Sequence, residues 1–275
     1  MQIFTDLALE SSVYKESDRT TKQLLDKLSC TVINKGDGKH YITYECFDNI
    51  VKNINIRKSI SGYMAESIIK LLDYKKLRNN KILIIGLGNR GMTADALGPR
   101  VVDRIIIKTE NDTLCAFTPS VTGLTGLETF DIVKGISDRV KPSAIIAIDT
   151  LASRKVNRIG SAFQLSDNGI SPGSGVGNNR VPINSESMNI PVIAIGVPLV
   201  VYAKTLAQDV LSSYLDEADK NDLSTKAVEV IRKSLDYKPS DLVVTPKEID
   251  IIVDASADII SSAINIAFWG KSALN

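Results

Sequence analysis

Three short segments, KILIIGL at 81–87, SAIIAID at 143–149 and PVIAIGV at 191–197, are almost unbroken apolar runs. A strand that is apolar at every position, instead of every second one, must be buried on both faces. Parallel strands covered on each side by crossover helices meet that condition. TLCAFTP at 113–119 reads as a further strand of the set. Between these runs the period changes. LETFDIVKGISDRVKP carries apolar residues at Leu127, Phe130, Ile132, Val133, Ile136 and Val140 and ends at Pro142, which predicts an amphipathic helix. PLVVYAKTLAQDVLSSYL at 198–215 and TPKEIDIIVDASADIISSAINIAFW at 245–269 also read as helices, the second opening with a Thr-x-x-Glu capping box at Thr245 and Glu248. The alternation predicts an α/β fold, a mostly parallel sheet sandwiched between helices.

The N-terminal part is mixed, with HYITYECF as a strand and KSISGYMAESIIKLLDY as a helix. Residues 1–275 read as one α/β domain, in which the charged stretch at about 216–241 forms a solvated helix or lid. The net charge of +1 argues against direct binding of nucleic acid or of an anionic membrane surface. No uninterrupted apolar run reaches the roughly 18 residues of a membrane span, and the first residues lack the pattern of a secretory signal, so a cytoplasmic location is expected.

Several chemistries are removed by what the chain lacks. Cys30, Cys46 and Cys115 are widely spaced without a C-x-x-C, which argues against a disulfide framework or a thiolate zinc site. His40, in the polar run NKGDGKHY, is the only histidine and reads as a solvated loop residue. A site with several imidazole ligands is excluded, and a Ser-His-Asp triad would have to use this one residue. No metal and no cofactor are expected.

The stretch ILIIGLGNRGMTADALGP satisfies G-x-G-x-x-G at Gly86, Gly88 and Gly91, with Glu110 near the distance of a ribose-binding acid. A nucleotide-binding helix would have to continue through Gly98 and Pro99, which oppose it. Pro99 is better placed as the first residue of a helix running through PRVVDRIIIK, which leaves 86–98 as a long loop with Asp95 exposed in it. Asp149, by contrast, ends an otherwise apolar strand. In open α/β sheets ligands sit beyond the carboxyl ends of the strands, so Asp95 and Asp149 should open onto the same edge. A capping role for each aspartate remains the alternative. The loops PSVTGLTGLE and GISPGSGVGNNR allow close backbone approach, or are simply tight turns. Asn89, Thr93, Thr122, Glu128, Ser174 and Gly175 are the candidate supporting residues of these loops.

Taken in order, GLGNRGMTADALGPRVV, TPSVTGLTGLETFDIVKGI, KPSAIIAIDTLASR, ISPGSGVGNNR and IPVIAIGVPLVV, extended by TDLALE at 5–10 and TPKEID at 245–250, resemble the germination protease family of endospore-forming bacteria. The resemblance implies an endopeptidase that degrades small acid-soluble spore proteins in the spore core at germination. It also implies a fold similar to hydrogenase-maturation peptidases, a homotetramer, and an atypical aspartic mechanism without a metal. The family's two proposed catalytic aspartates fall on Asp95 and Asp149. A zymogen is implied as well, self-cleaved near a T-D-L-A sequence, which here follows only four residues. A nickel-dependent maturation-type peptidase with ligands near Glu128, a nucleotide-binding oxidoreductase and a non-catalytic binding module are the competing readings.

Overall fold

A computed structural model describes residues 5–36, 38–73, 77, 81–108, 110, 113–171, 181–218 and 242–270, with the side chains of 211–218 outside the described set. The strands are β1 Arg19–Leu25, β2 Leu28–Asn34, β3 His40–Cys46, β4 Ile82–Gly86, β5 Leu114–Phe117, β6 Ala144–Ala152, β7 Ala162–Ser166, β8 Val192–Tyr202 and β9 Val243–Val244. The helices are α1 Ile54–Leu72, α2 Leu97–Val102, α3 Thr122–Thr125, α4 Thr129–Val140, α5 Ser185–Met188, α6 Ala203–Ala218 and α7 Ile249–Trp269. Among the described residues, the strands form one sheet in the order β1-β2-β3-β7-β8-β6-β4-β5, with β9 added at the end of β8.

The four strands β5, β4, β6 and β8 are mutually parallel. From β8 outward through β7, β3, β2 and β1 the pairing is antiparallel. Helices cover both faces of the parallel part, which is why its strands read as unbroken apolar runs. Ile82, Ile84, Ile146, Ile148, Ile193 and Ile195 face α1 and α7, packing with Ile60, Met64, Val253 and Ile260. Their sequence neighbours Leu83, Ile85, Ile145 and Ala147 face the opposite way, onto Val133 of α4 and Met188 of α5. The result is the predicted α/β sandwich.

α1 starts where Asn53 caps it, the side chain accepting from the Asn55 and Ile56 amides at 3.1 Å each. It packs along α7, and the small Ser61 and Ala65 on its buried side allow a close approach. The Ser61 hydroxyl donates to the Ile259 carbonyl at 2.9 Å. By length and composition α7 could cross a bilayer, with a mean hydropathy of 1.6. Here it is a core helix, and Val253, Ala257, Ile260 and Ile264 are fully buried against α1 and the sheet.

Several boundaries differ from expectation. β6 runs three residues past Asp149 to Ala152, and β8 continues through PLVVY, so that α6 begins only at Ala203. The extension has ladder partners on both sides, Ala152 against Val200 and Val201 against Val244. α7 begins at Ile249, and its cap residue Glu248 makes no side-chain cap bond, so the Thr245–Glu248 box is not formed. α2 is short and starts at Leu97, which puts Pro99 in its first turn, where a missing N–H costs nothing. The IIIK stretch beyond it is not helical. Instead, Asn265 accepts from the Ile106 amide at 3.0 Å and donates to the Arg104 carbonyl at 3.1 Å, and the Trp269 indole donates to the Ile106 carbonyl at 2.9 Å. His40 begins β3 instead of lying in a loop, its ring 3.2 Å from Asp167. Of the charged stretch at 216–241, residues 216–218 finish α6 and the rest lies outside the described residues.

Candidate active site

The parallel strands end at a cleft of about 700 Å³, lined by both Asp95 and Asp149. The glycines of the GLGNRG stretch bring this about. A β-carbon on Gly86 would lie 2.3 Å from the Gly98 carbonyl oxygen, so the strand end and the start of α2 can touch only because both residues are glycine. Gly88 has φ +109°, and a β-carbon there would meet the Asp95 carbonyl oxygen at 2.0 Å. The loop thus folds back on itself, and the Asn89 amide donates to the Asp95 carbonyl at 3.1 Å and to its carboxylate at 2.8 Å. No helix begins inside the glycine run, as a dinucleotide site requires, and Glu110 is exposed.

Asp95 ends a 3₁₀ turn at Thr93–Asp95 and is partly buried, not exposed as its loop position suggested. Burial raises its pKa to about 6, against the lowering effect of the Asn89 N–H. Asp149 lies on β6 opposite Gly196 of β8 and accepts from the Thr150 amide at 2.8 Å. Its pKa is pushed well above the usual carboxylate range, first by burial, then by the charge of Asp95 and, more weakly, that of Asp6, while the Thr150 N–H opposes. The charge of Asp95 opposes ionisation of Asp149, so the two together ionise less readily than two isolated carboxylates. Such a pair can hold a proton on one oxygen and accept one at another, which is what hydrolysis of an amide requires.

Asp6 was not foreseen as part of the site. The TDLALE segment lies along the end of β6, where the Asp6 amide donates to the Ala152 carbonyl at 2.9 Å and the Asp6 carboxylate accepts from the Ala152 amide at 2.8 Å. Gln164 of β7 holds the same segment by both ends of its amide, accepting from the Ala8 N–H at 2.8 Å and donating to the Asp6 carbonyl at 3.1 Å. Leu7 is buried against Leu151 and Ala162. Asp6, Gln164, Ser120, Thr150 and Asn168 all line the cleft. The Oγ1 of Thr150 and the Oδ1 of Asn168 are buried with no hydrogen-bond partner among the described residues. The one sequence signal for this wall was the TDLALE motif itself.

The proposed supporting residues divide. Asn89 acts through its main-chain N–H on Asp95, its own side chain accepting from the Gly91 amide at 2.9 Å. Thr93 sits in the turn that presents Asp95 but does not line the cleft. Thr122 opens α3 beside cleft-lining Val121, its hydroxyl oxygen buried without a partner among the described residues. Glu128 is exposed at the N-cap of α4, outside the cleft lining, so it is not placed as a ligand there. Among the described residues no three His, Cys, Asp or Glu side chains are grouped to hold a metal ion. Ser174 and Gly175 lie outside the described residues.

Comparison with known proteins places this chain in one family. The germination protease family model matches residues 4–221. The germination protease of Caldanaerobacter subterraneus subsp. tengcongensis is 38% identical, the alignment covering 96% of this chain and 94% of that protein. That of Clostridium perfringens strain SM101 is 35% identical, with 96% and 94% covered. That of Bacillus subtilis strain 168 is 32% identical, with 86% and 79% covered. Among solved structures, a NiFe hydrogenase maturation protease from Thermococcus kodakarensis matches with a TM-score of 0.39 at 17% identity, covering 71% of this chain and 99% of that one.

Proposed function

Because the chain belongs to the germination protease family, we propose that it is an endopeptidase of the spore core that cleaves small acid-soluble spore proteins by an atypical aspartic mechanism. The observation that carries the mechanism is the pairing of Asp95 and Asp149 in one cleft, both with raised pKa values and with no histidine on the cleft wall. Asp149, where burial and the charges of Asp95 and Asp6 all favour the protonated form, is the general acid, and Asp95, whose carboxylate accepts from the Asn89 amide, the general base. Asp95 takes a proton from water as the oxygen attacks the scissile carbonyl carbon, while Asp149 gives its proton to the carbonyl oxygen. The tetrahedral diol then collapses: the C–N bond breaks, Asp95 passes its proton to the leaving nitrogen, and a diol hydroxyl returns a proton to Asp149. The carboxylates are restored and water has been split across the amide.

Self-cleavage at the T-D-L-A segment and assembly as a homotetramer belong to the same proposal. The position of Asp6 on the cleft wall supports the first. The second rests on the family alone; Phe268 and Trp269, at the end of α7, pack against the chain's own core.

The decisive experiment incubates the purified protein and its Asp95→Asn and Asp149→Asn variants with one small acid-soluble spore protein. Each variant is expected to lose about 10² to 10⁴ in rate with its fold intact by circular dichroism. Near-normal turnover by either would remove that residue from the mechanism. The wild-type rate should be unchanged by exhaustive chelation; loss of activity restored by nickel would favour the maturation-type reading.

A further inference from the structure

We propose that Ser120 is a substrate-binding residue whose hydroxyl hydrogen-bonds the main chain of the extended segment beside the scissile amide; this rests on the peptidase reading above. Ser120 lies between β5 and α3 and lines the cleft together with Asp95 and Asp149. Its φ is +65°. An L-residue in that left-handed region is crowded, and glycine takes the position without strain.

Among the described residues, the other non-glycine positions with positive φ, Asp73, Lys141 and Asn189, are all helix C-caps, where this conformation closes the last turn. Ser120 follows a strand and caps no helix. A side chain kept where glycine is favoured, at a cleft, marks strain retained for a purpose the backbone alone does not serve. The Ser120 hydroxyl has no hydrogen-bond partner among the described residues. Two other oxygens, Oγ1 of Thr122 two residues on and Oγ1 of Thr150 on the same cleft wall beside Asp149, are buried and without partners among the described residues. Buried polar groups in folded proteins are nearly always paired, so this wall is built to be completed by another chain's polar groups. An extended peptide offers amides and carbonyls at regular spacing, as a main-chain-reading wall needs.

The test compares Ser120→Ala and Ser120→Gly. Both lose the hydroxyl, but only glycine relieves the backbone. Each should raise KM for a small acid-soluble spore protein about tenfold with kcat little changed, as loss of a uniform binding contact does. The glycine variant alone should also melt about 2 to 4 °C higher. A second arm adds Ser120→Gly to Asp149→Asn and measures the dissociation constant of the fluorescently labelled spore protein, which needs no turnover. If the peptidase reading fails, this arm still reports on Ser120. A tenfold weaker complex supports the proposal. An unchanged KM, or an unchanged dissociation constant, in the glycine variant overturns it.

Discussion

At the residue scale the site is defined by carboxylates whose folded pKa values lie above their unfolded ones. Between the unfolded value of about 3.9 and the raised folded value, the native protein binds more protons than the unfolded chain, so stability falls as pH rises through that window. For Asp95 the window closes near pH 6. Asp149 extends it upward, because burial and two neighbouring carboxylates oppose its ionisation. Asp149→Asn should therefore melt higher than the wild type at pH 8, and the difference should shrink toward pH 4, where the native acids are protonated and the unfolded ones about half so. A thermal scan of both proteins at the two pH values checks this, and a stabilisation over the wild type no larger at pH 8 than at pH 4 would contradict the raised pKa. Asp95 and Asp149 were legible in the sequence as acids toward the carboxyl ends of strands, one in the loop after β4 and the other read as the last residue of β6, which runs on to Ala152. Ser120 was not, because a left-handed φ leaves no mark on a serine in a glycine-rich turn. Asp6 was hidden for a different reason: 146 positions separate it from Ala152, its partner on β6.

At the scale of elements, the wall of the cleft depends on how the N-terminal segment is fastened. Glu10 does most of this. Its side chain is 1% exposed and accepts from the Thr5 hydroxyl at 2.5 Å, the Arg154 amide at 2.5 Å, the Lys155 amide at 3.1 Å and the Arg158 guanidinium at 2.9 Å. Arg158 in turn reaches Glu45 of β3 at 2.8 Å, tying the segment to two strands' worth of sheet. Removing one partner of a buried ion pair leaves its donors unsatisfied and the other charge poorly compensated, a cost of about 3 to 5 kcal/mol. Glu10→Ala is therefore expected to lower unfolding free energy by about 3 kcal/mol, and Glu10→Gln, which keeps acceptor capacity at one oxygen, by less. Urea denaturation of the three proteins distinguishes them, and equal midpoints would mean the network contributes nothing net. The same scale shows what patterning could and could not reveal. The runs at β4 and β6 announced themselves because both their faces are buried, whereas PLVVY continues β8 only because β6 and β9 supply partners on either side, information that lies elsewhere in the chain.

Across the whole molecule, charge and cleft together constrain what the enzyme can accept. The chain carries a net charge of +1, and its cleft presents Asp6, Asp95 and Asp149, with no lysine or arginine among the described residues that line it. Such a surface has nothing to offer a phosphate backbone and repels one brought close to the carboxylates. Its side-chain oxygens at Thr150 and Asn168, without partners among the described residues, suit the main chain of an extended segment instead. The family resemblance implies substrates that protect DNA by binding it and are disordered when free; such free chains present an extended segment at little ordering cost, whereas DNA-bound chains must first be released. Cleavage of one small acid-soluble spore protein should thus slow when saturating duplex DNA is added. The slowing should fade as salt is raised and the substrate dissociates, because binding to DNA is governed by counterion release. The measurement follows initial rates at two salt concentrations, with and without DNA, and verifies binding by anisotropy in each. Equal rates on free and fully bound substrate at low salt would mean that the enzyme takes its substrate from the DNA-bound form, and the reading of this cleft as a site for an extended, unfolded segment would fall.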